Sequence, residues 1–174
     1  GGSYADLPRD AVIGTASLRR SAQLLASRPE LRVVSLRGNV DTRLAKLGSG
    51  EMDATLLAVA GLKRLGRADV ITTILPVDEM MPAVAQGAIG VACRSEDDDV
   101  LEILRPLNHA NTVFSITAER AFLAHLDGSC QTPIAALAKI DGAGRVILSG
   151  LLAALDGSTL VKGSRSGVAS SAVE

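Results

Sequence analysis

Short apolar runs alternate with helix-period stretches through the first half of the chain. Ala11-Val12-Ile13-Gly14 precedes a helical pattern from Ser17, the run 31–36 precedes a second from Asn39, and the run 54–58 precedes a third from Gly61. That order predicts βαβ units and a largely parallel sheet, because strands running the same way need a crossover between them. In the first helical stretch Leu18, Ala22 and Leu25 recur at i, i+4 and i+7, leaving Arg19, Arg20 and Gln23 off the apolar stripe. Val40, Leu44 and Leu47 repeat the spacing in the second, with Gly48 and Gly50 as its stop.

The pattern breaks at 78–82. Gly87-Ala88-Ile89-Gly90-Val91-Ala92-Cys93 then reads as a buried strand with Cys93 in the core, and 97–104 as a further helix. Asn111 is expected to cap a long helix in which Phe114, Ala118, Ala121 and Phe122 share a face, ending near Asp127-Gly128. Three β-like runs, 136–140, 146–152 and 159–163, are separated by Asp141-Gly142 and Asp156-Gly157, turn dipeptides that predict an antiparallel meander. Residues 168–174 carry no pattern and are expected to lack structure. The expected fold is an α/β domain, a boundary near 109–111, and a small α+β domain carrying an antiparallel three-stranded sheet.

Composition narrows the function. With 47% of 174 residues hydrophobic, the chain has material for a packed core and is not a disordered segment. Aromatics make up 2% with no Trp, so few rings are present on which bases could stack, and single-stranded nucleic acid is disfavoured. Cys93 and Cys130 lack the paired spacing of a zinc site or a disulfide framework, which fits a reducing cytoplasm. With no signal-peptide pattern, and no apolar run near the roughly 18 residues of a membrane span, a soluble protein is expected. Charge is uneven: from Arg9 to Arg67 there are eleven Lys/Arg against five Asp/Glu, and from Asp69 to Asp127 three against ten. Either the first half binds anions or surface charge merely sorts by domain.

Candidate chemistry gathers at the predicted strand ends. In Gly14-Thr15-Ala16-Ser17-Leu18-Arg19-Arg20, small hydroxyl residues cap a helix whose first turn holds two arginines. Cations there oppose the helix dipole by ~0.3–1 kcal/mol each, a penalty that reverses when an anion sits on the terminal N–H groups. The alternative is two arginines on a solvated face. Leu36-Arg37-Gly38-Asn39-Val40-Asp41-Thr42-Arg43 repeats the logic, and Ala58, Gly61, Lys63 and Arg64 follow the third run. Ligands of open α/β sheets bind outside the carboxyl ends of strands, so cations at three such ends indicate a ligand with several carboxylates or phosphates. No Gly-rich phosphate loop supports a nucleotide, and His109 and His125 have no partners at metal-ligand spacing. Cys130, in Asp127-Gly128-Ser129-Cys130-Gln131-Thr132-Pro133, is either an inert loop cysteine or a nucleophile able to form a thioether.

Five stretches resemble, in order and spacing, successive motifs of the hydroxymethylbilane synthase (porphobilinogen deaminase) family. They are the two arginine segments above, Leu57-Ala58-Val59-Ala60-Gly61-Leu62-Lys63-Arg64-Leu65-Gly66, Pro82-Ala83-Val84-Ala85-Gln86-Gly87 and Gly128-Ser129-Cys130-Gln131-Thr132-Pro133. The match runs over about 7–167, with Ala16 where a serine is more usual. The resemblance implies a type II periplasmic-binding-protein-like α/β lobe, a transferase joining four porphobilinogens on a growing linear polypyrrole, and a dipyrromethane cofactor held by Cys130 through a thioether. It implies that Thr15, Ser17, Arg19, Arg20, Arg43, Ala58, Gly61 and Gln86 bind the cofactor and that Arg37, Arg43 and Arg64 bind substrate.

In such a protein porphobilinogen loses ammonia to give an azafulvene that the terminal ring attacks, and an aspartate of the first lobe steadies the pyrrole nitrogens. That aspartate is expected before Leu7, so no catalytic residue is identified in this chain. The start at Gly1-Gly2-Ser3 rather than Met fits a fragment lacking most of that lobe and a last helix after Gly167. The implied divisions are a central lobe at 1–84, a residual piece of the first lobe at 85–108 and a cysteine-bearing domain at 109–174. A monomer with no metal, nucleic-acid or membrane partner is expected. The competing reading is an inactive fragment that only binds small carboxylates.

Overall fold

The computed structural model describes residues 4–129 and 132–169. Cys130 and Gln131 lie outside the described residues, as do 170–174. The described chain divides into two units. The first holds the residues up to Met80 with 132–133 and Ala153–Leu160, and the second holds the rest.

The first unit follows the expected alternation: β1 (Val12–Gly14), α1 (Leu18–Ser27), β2 (Arg32–Val34), α2 (Val40–Gly48), β3 (Ala54–Thr55) and α3 (Val59–Arg64). Its three strands run parallel in the order β2-β1-β3, with Ile13 opposite both Val33 and Ala54. Ala11, Ile13, Leu24 and Leu31 form the core, closed by Leu7, Leu56 and Met80 among others. A side chain at Gly14 would collide with Met52 and Leu36, both buried, so glycine is what lets β1 end close beneath them.

Helix α1 departs from its expected orientation. Leu18, assigned to the apolar stripe, is exposed, whereas Arg19, Ala22, Gln23 and Leu24 are buried. The buried face is centred about one residue further along the helix than the Leu18-Ala22-Leu25 stripe. Gln23 makes this tolerable by donating its side-chain amide to the Arg19 carbonyl at 3.2 Å, since a buried polar group costs little once it is bonded.

The second unit contains α4 (Asp98–Leu104), α5 (Ala110–His125), β4 (Ile134–Ile140), β5 (Arg145–Ala153) and β6 (Leu160–Val168), its strands ordered β4-β5-β6 with β4 and β5 antiparallel. Helix α5 packs on β4 through Ala118, Ala138 and Val146, with Phe114 and Leu148 against them. Phe122 lies against Gly150, where a side chain would find no room. The two Asp-Gly turns form as the sequence implied. Asp141 Oδ1 accepts from the N–H groups of Ala143 and Arg145, both at 2.9 Å, and Asp156 Oδ1 from that of Ser158 at 3.0 Å.

Four expectations for this half need correction. Residues 87–93 form no strand, and Ile89 and Val91 are exposed; an apolar run becomes a strand only through a ladder, and no strand among the described residues pairs with it. Cys93 is accordingly half-buried rather than in the core. Helix α5 starts one residue before Asn111, with His109 at the cap position and its ring nitrogen Nδ1 2.8 Å from the Thr112 hydroxyl. Strand β6 also continues to Val168, through part of the tail expected to be unstructured.

Candidate functional site

The end of β1 and the start of α1 build the most polar part of the first unit. Thr15 donates its backbone N–H to the Val34 carbonyl at 2.9 Å, which carries the sheet one residue past Gly14. Its buried hydroxyl accepts the Ser17 N–H at 3.2 Å, and the Ser17 hydroxyl in turn accepts the Arg20 N–H. Two short hydroxyl turns therefore aim the first turn of α1 out of the strand end. That turn holds no acidic residue.

Arg19 is 8% exposed, and its pKa is lowered to about 10, first by burial and then by the neighbouring Arg20 charge. Arg20 is half-buried and donates to the Leu56 carbonyl at 2.8 Å, beside the β3 end. Its pKa is lowered too, by burial and then by the charge of Arg43. Arg43 thus lies within electrostatic reach of Arg20, its Nε held at 2.9 Å by the Gly38 carbonyl. Like charges drawn together and partly desolvated are unfavourable unless something negative joins them. No carboxylate of the described residues forms an ion pair with Arg20 or Arg43.

The β2 end contributes a second capped helix. Gly38 has φ +122, a backbone that favours glycine, and Asn39 accepts both the N–H and the hydroxyl of Thr42 at 2.8 Å. Arg37 is exposed on the connecting turn. At the third strand end, Ala58 is the exposed N-cap of α3, and open space surrounds the Cα of Gly61. Arg64 is placed differently: it occupies the last turn of this six-residue helix, about 7.5 Å of helix away from its start at 1.5 Å per residue.

The structure therefore places Arg20 within electrostatic reach of both Arg19 and Arg43, uses Thr15 and Ser17 to cap the helix that carries the first two, and leaves Arg37 and Arg64 exposed. Gln86 belongs to the second unit, where its side-chain oxygen accepts the Ala83 N–H at 3.0 Å. Cys130 lies outside the described residues, but the ends of its loop are described. A side chain at Gly128 would meet Ile134 and Leu123, each at 2.6 Å, so the loop leaves α5 and enters β4 at closely packed positions. The sequence offered Gly128 only as a turn residue. Among the described residues no group of three or more His, Cys, Asp or Glu side chains is arranged to hold a metal.

These features define a class: an α/β lobe that gathers arginines at its strand ends, followed in sequence by a helix and an antiparallel sheet. Comparison with known proteins makes it particular. Residues 1–102 match the family model described as porphobilinogen deaminase, dipyromethane cofactor binding domain, and residues 113–174 match the porphobilinogen deaminase C-terminal domain. The chain is 56% identical over 165 residues to the chloroplastic porphobilinogen deaminase of Oryza sativa subsp. japonica, covering 95% of this chain and 46% of the relative. It is 53% identical over 170 residues to porphobilinogen deaminase of Roseiflexus castenholzii, covering 98% of this chain and 55% of that protein. The chain belongs to the porphobilinogen deaminase family and spans about half the length of the curated relatives it matches.

Proposed function

We propose that this chain is part of an enzyme that polymerises porphobilinogen head to tail, with loss of ammonia, into hydroxymethylbilane on a covalently attached dipyrromethane, a transferase step of tetrapyrrole biosynthesis. The observation that carries the reading is the pairing of Arg20 and Arg43, with Arg19 beside Arg20 in the first turn of α1: Arg20 is partly buried within reach of the Arg43 charge, and no carboxylate of the described residues forms an ion pair with Arg20 or Arg43. A dipyrrole bearing two carboxylates on each ring fits that arrangement. Bound there, it supplies the pyrrole carbon to which the first porphobilinogen is joined.

In this reading the three guanidiniums hold its carboxylates, and Thr15 and Ser17 fix the turn that aims Arg19 and Arg20. Ala58 and Gly61 leave room beside the third strand end, and Gln86 shapes the cleft. Arg37 and Arg64 share with Arg43 the carboxylates of the incoming and growing chain, which suits their exposed positions. Cys130 carries the thioether. We further assign the first unit to a lobe of the type II periplasmic-binding-protein kind, 85–108 to a piece of a first lobe, and 109–174 to the cysteine domain. We also place the working protein as a monomer in a soluble compartment, cytoplasmic in a bacterium. No helix among the described residues is long and apolar enough to cross a membrane.

The test is the intact mass of the protein expressed from its complete reading frame, with peptide mapping of the Cys130 peptide. A dipyrrole adduct on that peptide, lost in Cys130→Ser together with turnover of porphobilinogen, is the expected result. Turnover with an unmodified Cys130 would overturn the thioether assignment, and binding of small carboxylates without turnover would favour a binding module instead.

A further inference from the structure

We propose that Glu119 is a positioning residue whose buried carboxylate ties the turn carrying Gln86 to the two elements that bracket the cysteine loop. The proposal rests on the site reading above for the importance of Gln86 and Cys130, and on geometry of its own. A glutamate in mid-helix is ordinarily solvated, yet Glu119 on α5 is 5% exposed. Each of its oxygens takes one backbone donor from a distant part of the chain. Oε2 accepts the Ala85 N–H at 2.6 Å, and Oε1 accepts the Ala138 N–H of β4 at 2.8 Å. Charge-assisted bonds of this kind are the strong ones, and a buried carboxylate deprived of either donor is costly, so the pairing is closely specified.

What the clamp holds is itself unusual. Ala85 has φ +57, in the left-handed region that an L-residue seldom enters without a constraint. The turn around it is closed by the Gln86 N–H to the Ala83 carbonyl at 3.0 Å and by the Gln86 side-chain oxygen on the Ala83 N–H. The bond from the Ala85 N–H to Glu119 therefore fixes the backbone immediately before Gln86, and with it the direction in which Gln86 leaves the turn. On the other side, α5 leads into the segment holding Cys130 and β4 leaves it. One carboxylate thus sets a common register for the glutamine turn and for both ends of the cysteine loop.

The first measurement needs no variant. Hydrogen exchange on this chain should show the Ala85 amide, although it lies in a turn, protected by a factor comparable to the Ala138 amide of the sheet. An Ala85 amide exchanging like an open turn would overturn the clamp. In the protein expressed from its complete reading frame, Glu119→Gln replaces one acceptor by a donor, so at least one of the two amides should exchange about tenfold faster and kcat for porphobilinogen should fall about tenfold with the cofactor still attached. Because glycine enters the left-handed region freely, Ala85→Gly added to Glu119→Gln should restore a substantial part of kcat. A glutamate that merely stabilised the domain would not be rescued this way. Wild-type turnover in Glu119→Gln, or loss without rescue, would sink the proposal; absence of turnover in the unmodified protein would instead count against the functional reading on which it rests.

Discussion

Replacing Arg19 by methionine should make the chain more stable while weakening its hold on carboxylates. Arg19 is nearly enclosed, and its pKa is lowered from the ordinary arginine value to about 10, chiefly through burial and then through Arg20. At about 1.36 kcal/mol per pKa unit, the difference corresponds to about 3 kcal/mol of stability withheld while the guanidinium is charged. The sign follows from proton linkage. Below about pH 10 the arginine is protonated in both folded and unfolded chains, so the cost is present in full and does not vary with pH. Only above that value does the folded state release the proton first, so stability then rises with pH.

Methionine keeps the unbranched stem and removes the charge, but it also forfeits the interactions that Arg19 makes. The expected net gain is therefore nearer about 1–2 kcal/mol, or about 3–6 °C in Tm at this chain length. Thermal melts in sodium chloride and in sodium citrate at matched ionic strength separate the two effects. The Met variant should melt higher in chloride, and citrate should raise the wild-type Tm more than the variant's, because the variant lacks one of the cations that would bind citrate. A variant that melts lower than wild type in chloride, or equal citrate shifts in both proteins, would refute the reasoning.

Two further outcomes follow from the geometry. Gly128→Ala should destabilise the second unit by about 1–3 kcal/mol through overpacking against Leu123 and Ile134 and should lower cofactor attachment, measured by denaturant unfolding and by the mass of the Cys130 peptide; a neutral substitution would show that the loop ends are not tightly packed. Asp141, Asp156 and Glu30 have pKa values held below the ordinary carboxylate range. The causes are, respectively, the Arg145 backbone N–H, the Ser158 hydroxyl with its N–H, and the backbone N–H of Glu30 itself with Arg28. Their stabilisation is complete above the unfolded-state pKa and is lost as pH falls through the folded values, so Tm should decline below about pH 4, and a Tm flat through that window would contradict these bonds.

Local chemistry was legible where the chain settles its own geometry. Ser17 and Asn39 cap the helices that the alternation of strand and helix patterns placed there, and both Asp-Gly turns form. Misreadings arose where distant partners decide. The run 87–93 has strand composition but no neighbour to pair with among the described residues, and the buried face of α1 takes in Arg19 and Gln23 rather than Leu18. Glu119 was invisible for the same reason. The two amides that define it come from 34 residues before and 19 residues after.

The same contrast between local and distant partners explains why anions should choose α1 over α2. Both helices are capped by side chains, and the N-terminus of each is the positive end of its dipole. Helix α2 carries its own counter-charge, Asp41 in the first turn, and the nearby cation Arg67 pairs with it at 3.4 Å. Helix α1 has no acid in its first turn and instead adds Arg19 and Arg20 to an already positive terminus, with Arg43 within electrostatic reach. Left alone, that arrangement lowers stability, which is the usual signature of a site shaped for something other than folding. Arg43, one turn inside α2, bonds the Gly38 carbonyl before its own helix and also adds its charge to that of Arg20, so a carboxylate at the α1 terminus would relieve the repulsion between them. Arg43→Ala should accordingly diminish the citrate effect on Arg20 as well, raising the Arg20 pKa toward its ordinary value in the ligand-free chain.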